Sequence, residues 1–140
     1  MKILFAADGS RYTKKALGFV LTHEGLLGEE GELVVVHVEP PAPPRVKSLL
    51  GARVVAEYQR EEAQKVLAPI EKFLRKHAVK FRTVALVGHP PLEIVRMAKR
   101  EKAQMILMGT HGHGLMGRVL MGSVAQNVVT QSDIPVLLVK

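Results

Sequence analysis

Residues 2–10, Lys2-Ile3-Leu4-Phe5-Ala6-Ala7-Asp8-Gly9-Ser10, carry a pattern that recurs down the chain. A short apolar run stops abruptly at Asp-Gly-Ser, so residues 2–7 read as a buried strand that exits into a tight turn. Helical spacing follows at once. Ser10 and Thr13 are capping residue types, and Ala16, Leu17, Val20 and Leu21 fall on one helical face. Gly25, Gly28 and Gly31 then break the helix.

The alternation continues. Glu32-Leu33-Val34-Val35-Val36-His37-Val38 is a continuous, β-branched run, as expected of a parallel strand covered on both faces. Pro40-Pro41-Ala42-Pro43-Pro44 reads as an extended loop. A long amphipathic helix is predicted over 52–77, with Val55, Ala63, Val66, Leu67, Ile70 and Leu74 inward, and Pro69 inside it predicts a kink or break. Residues 81–87 form the third strand. Gly88-His89-Pro90-Pro91 turns into a helix over 91–101, with Ile94, Val95 and Ala98 inward. Residues 104–108 form the fourth strand, and a glycine-rich stretch follows. A last helix is predicted over 123–131, and Pro135 opens a fifth strand, Val136–Val139. Strict β/α alternation implies an α/β fold: one doubly wound, five-stranded parallel sheet, order 3-2-1-4-5, with helices on both faces.

Composition narrows the function classes. The length of 140 residues suits one domain spanning 1–140, and 47% apolar residues can build a core. With no cysteine, disulfides, thiolate metal sites and cysteine nucleophiles are ruled out. The opening apolar run is too short for a signal sequence, and no run approaches the roughly 20 residues that span a bilayer. A cytoplasmic protein without a membrane partner is the expectation. The formal net charge is +7, but the basic residues are scattered among glutamates and aromatics make up only 4%. That combination lacks a nucleic-acid reading motif and argues against nucleic acid as the main ligand.

In an open doubly wound sheet, ligands sit beyond the carboxyl ends of the strands where the strand order reverses. Here that crevice lies between strands 1 and 4, whose exits carry Asp8-Gly9-Ser10 and Gly109-Thr110-His111-Gly112. The second exit opens a segment from Gly109 to Ser123 with glycines at 109, 112, 114, 117 and 122. Glycine lets backbone N–H groups approach a ligand closely, successive N–H groups form anion nests, and a helix N-terminus favours phosphate. The lysine-containing phosphate loop GxxxxGK[ST] is absent. A literal GxGxxG, Gly112–Gly117, lies in the last βα unit with no acidic residue after the next strand, which argues against dinucleotide oxidoreduction.

The glycine segment also reads G-x2-G-x9-G-S, at Gly109, Gly112, Gly122 and Ser123. With the opening Ile3–Ser10, the strand end Val36-His37-Val38 and the closing Pro135–Val139, it resembles the ATP-binding branch of the universal stress protein family. That resemblance implies a homodimeric fold holding ATP or another adenine nucleotide. By it, Ala7 and Asp8 stand beside ribose and phosphates, and Val38 encloses the adenine. Met108 and Gly109 line base and ribose, while Gly112, Gly122 and Ser123 hold phosphates, with backbone N–H groups from Val124 and Ala125. His111 and His113 join the phosphate end. Two positions depart from the family pattern: His113 replaces a common basic or polar residue, and Ala125 stands where a hydroxyl can occur.

Several residues carry alternatives. Asp8 is either a ligand residue, reaching the nucleotide through a ribose hydroxyl, water or Mg²⁺, or a helix cap. His37 reads as a satisfied core histidine. The His111/His113 pair lacks an evident third metal ligand. Arg118 is either a solvated arginine or a phosphate partner. No catalytic residue is assigned. The expected function is a stress-response or regulatory protein acting as a nucleotide-dependent sensor or binding module, with an unidentified protein partner. Slow Mg²⁺-dependent ATP hydrolysis and a basic nucleic-acid-associated role are the rivals. The apolar fifth strand, at the sheet edge, is expected to pair two copies through residues 135–139.

Overall fold

A computed structural model describes residues 1–113 and 121–140. The strands are β1 (Lys2–Ala6), β2 (Glu32–Glu39), β3 (Phe81–Val87), β4 (Met105–Gly109) and β5 (Val136–Val139). The helices are α1 (Arg11–Thr22), α2 (Pro44–Leu50), α3 (Ala52–Lys76), α4 (Pro90–Arg100) and α5 (Ser123–Gln131). The strands form one sheet in the order β3-β2-β1-β4-β5, every pairing parallel.

Side chains alternate across a strand, so each strand feeds both faces. Ile3, Phe5, Leu33, Val35 and Leu107 point to one face, where α1 supplies Ala16, Leu17 and Val20 and α3 supplies Leu67, Ile70 and Leu74. Leu4, Val34, Val36, Ile106 and Met108 point to the other, under Ile94, Val95 and Ala98 of α4 and Ala125 and Val128 of α5. Two-sided burial explains why β1 and β2 are apolar almost throughout rather than alternating. The opposite end of the sheet is closed by charge: Lys2 lies 3.7 Å from Glu32 and 3.8 Å from Glu101, and Arg82 pairs with both glutamates.

Two elements differ from expectation. The proline-rich segment does not stay extended to its end: Pro44 opens the short helix α2, where its fixed φ and missing N–H cost nothing. No α2 residue is buried, and Leu49, Leu50, Val54 and Tyr58 of α2 and early α3 are exposed. The helix α3 also runs without a break through Pro69. Pro69 lies on the exposed side of the helix, while Leu67, Ile70 and Leu74 hold the helix on the sheet.

Phe5 is fully buried on the central strand. Phe5→Ala is expected to lower unfolding free energy by about 3–5 kcal/mol, read from the urea midpoint. Leu49→Ala, on an exposed helix face, should stay within about 0.5 kcal/mol of the parent.

Candidate functional site

The first strand exit is held by a compact hydrogen-bond set. Asp8 Oδ1 accepts from the Ser10 amide (2.9 Å) and from the Thr13 hydroxyl (2.8 Å), while the Asp8 amide donates to Thr13 Oγ1 (3.0 Å). Ser10, not Asp8, is the N-cap of α1, accepting from the Thr13 amide. Asp8 thus shapes the turn through one oxygen, and Gly9 takes the left-handed conformation the turn needs, φ +78°. The other carboxylate oxygen points across the crevice: a Cβ placed on Gly112 would stand 2.5 Å from Asp8 Oδ2.

The second exit is built against the first. A Cβ on Gly109 would collide with Tyr12 of α1, so glycine lets β4 leave close beside that helix. Thr110 donates its amide to Val139 of β5 (3.0 Å) and accepts from the Gly122 amide (2.6 Å). Both ends of the glycine segment therefore meet at one residue. Gly122 is the N-cap of α5 and has no side chain to cap it with, and among the described residues no side-chain cap is made. The first-turn amides of Ser123, Val124 and Ala125 are the kind of unfilled donors that bind an anion.

Histidines tie the walls together. His113 Nε2 donates to the Asp8 carbonyl (2.7 Å), joining the glycine segment to the first turn. His111 Nδ1 lies 2.8 Å from Thr110 Oγ1, and its ring sits 4.9 Å from that of Tyr12. The two rings thus have separate partners, and among the described residues no group of three or more His, Asp or Glu could hold a metal ion. Buried His37 bonds the Ala7 carbonyl through Nδ1 (2.7 Å), and its Nε2 lies 2.6 Å from Glu39, so it links β1 and β2 at their exits.

These parts enclose a cleft of about 920 Å³ at the carboxyl ends of β1, β2 and β4. Ala7, Asp8, Val38, Met108, Gly109, His111, Gly112, His113, Gly122, Ser123, Val124 and Ala125 all line it. Arg118, Gly114 and Gly117 lie outside the described residues. Sequence reading did not single out Glu62 or Lys65 as lining residues, and took Val66 only as core. The signal available was length. A helix over 52–77, at roughly 1.5 Å per residue, overshoots strands of four to eight residues, so its middle reaches the sheet edge. Lys65 Nζ pairs with Glu62 at 2.8 Å, and that carboxylate raises the lysine's pKa, chiefly through the hydrogen bond.

The comparisons with known proteins follow the same line. Universal stress protein MJ0531 of Methanocaldococcus jannaschii is 40% identical over 87 residues, which span 62% of this chain and 51% of that protein. Universal stress protein MJ0577 of the same organism is 32% identical over 99% of this chain and 94% of its own length. The solved structure of MJ0577 superposes with a TM-score of 0.85 over those same shares. The universal stress protein of Archaeoglobus fulgidus in complex with dAMP shares the fold at 24% identity and a TM-score of 0.71, covering 100% of this chain and 98% of that one. The sequence model of the universal stress protein family matches residues 1–140, and the chain belongs to that family.

Proposed function

We propose that the cleft binds an adenine nucleotide, with ATP as the favoured ligand, and that the chain works as a nucleotide-dependent sensor or binding module in the stress response. The observation that carries this reading is the uncapped first turn of α5 facing the Asp8 turn across a closely approached glycine. In this reading the amides of Ser123, Val124 and Ala125 and the Ser123 hydroxyl hold phosphates. Val38 and Met108, both largely buried, supply the apolar wall for the base. Ala7 and Gly109 flank the ribose, and the free oxygen of Asp8 meets a ribose hydroxyl. His111 and His113 shape the phosphate end. The dAMP held by a relative of the same fold is consistent in ligand class.

The same carboxylate oxygen suits Mg²⁺ in part. Oδ1 is committed to Ser10 and Thr13, so Asp8 offers Oδ2 alone, and the remaining ligands of an octahedral Mg²⁺ would be phosphate oxygens and water. Slow Mg²⁺-dependent hydrolysis is the second reading, favoured by that single oxygen. Efficient phosphoryl transfer needs an oriented water and several charge-neutralising groups. The cleft's described lining brings Asp8, Glu39 and Glu62 but one lysine.

We further propose a homodimer through β5. It has one strand neighbour, and all its residues are half-buried, so its outer edge can accept a second copy.

Gly112→Val should weaken ATP binding at least tenfold by calorimetry, with the circular dichroism spectrum retained. Full affinity in that variant would remove the phosphate cradle from the reading. Under saturating ATP and Mg²⁺, turnover should stay far below the roughly 1–100 s⁻¹ of kinases. Fast hydrolysis lost in Asp8→Ala would replace the sensor with an enzyme. Light scattering at micromolar concentration should give twice the chain mass; the mass of a single chain would sink the β5 pairing.

A further inference from the structure

The described lining of the cleft carries more negative than positive side-chain charge. Among its described lining residues are three carboxylates, Asp8, Glu39 and Glu62, and Lys65 is the only lysine or arginine. Glu39 is occupied by His37. A monophosphate at the uncapped turn of α5 needs no more than backbone donors. A triphosphate brings further negative charge into a cleft already lined by carboxylates, and each added phosphate makes an unmatched cation more valuable.

Lys65 lines the cleft at its rim, beside Val66. Its neighbour Val66 packs over the first turn: a Cβ on Gly9 would lie 3.3 Å from Val66 Cγ2 and 3.8 Å from His113 Nε2. This stretch of α3 therefore walls the same corner as Asp8, Gly112 and His113. The Lys65 side chain is 72% exposed, and among the described residues its one ion pair is with Glu62, one turn back on the same helix. An exposed pair of this kind is weak, and the long flexible stem leaves the ammonium free to exchange partners at little cost.

We infer that Lys65 selects the length of the phosphate chain: it leaves Glu62 to grip the terminal phosphates of a nucleoside triphosphate, so the cleft prefers ATP to AMP. This rests on the adenine-nucleotide reading above. Glu62 acts as the parking partner. It holds the ammonium at the rim when no tail is present and competes with the tail when one is.

The test is the ratio of ATP to AMP affinity, measured by calorimetry without Mg²⁺ on the full chain. The parent should favour ATP. Lys65→Met should lower the ratio about fivefold, the scale expected of one partly exposed charged contact. Lys65→Arg should restore it, and Glu62→Gln, which removes the competitor, should raise it. High salt should compress the parent's ratio toward that of Lys65→Met. An unchanged ratio in Lys65→Met, or equal affinities of the parent for ATP and AMP, overturns the role of Lys65 while leaving nucleotide binding in place. Binding of neither nucleotide by the parent overturns the adenine-nucleotide reading, and this inference with it. Lys65 is exposed, so loss of fold is not expected, and the AMP titration of each variant checks it.

Discussion

Everything at the cleft depends on the parallel pairing of β1 with both β2 and β4. Ala6 is the shared reference point, opposite Val36 on one side and Met108 on the other. With all strands running the same way, their exits leave at one edge of the sheet, and each crossover must return by a helix. Because the chain moves outward from β1 in both directions, no helix fills the gap between the exits of β1 and β4. A crevice is then a by-product of topology, and the residues just past Ala6 and Met108 decide what it can hold.

Those residues work under a double demand. Asp8 must close a turn and also face the crevice, and the two carboxylate oxygens divide the tasks. Tyr12 presses on Gly109, and Asp8 presses on Gly112, so in each case the absent side chain sets the distance between walls. The glycines matter here for closeness of approach; among the described glycines lining the cleft, only Gly9 needs the left-handed region. His37, buried between Ala7 and Glu39, fixes the neighbouring strand end by hydrogen bonds that a hydrophobic residue could not make.

The strands, their order and the crevice were legible because apolar runs ended by turn residues leave few alternatives in a chain this short. The twelve proposed lining residues converge because the topology brings the exits of β1, β2 and β4 to one edge of the sheet. Local rules failed where tertiary packing outweighed them. Pro69 predicted a kink or a break, and the break does not occur: Pro69 is exposed, and Leu67, Ile70 and Leu74 hold the helix on the sheet. The run of prolines hid α2, since proline both breaks helices and begins them. Nothing local marks Glu62 and Lys65 out among the charges of the long helix. Their place at the rim follows from how far α3 extends past the sheet, which no local pattern records.

Thr110 has a consequence for how such a chain can change. Its carbonyl takes the Gly122 amide and its own amide is tied to Val139, so residues 111–121 leave and return at a single clasp. Both bonds are made by the backbone, so the exit of β4 and the start of α5 stay in register whatever side chain stands at residue 110.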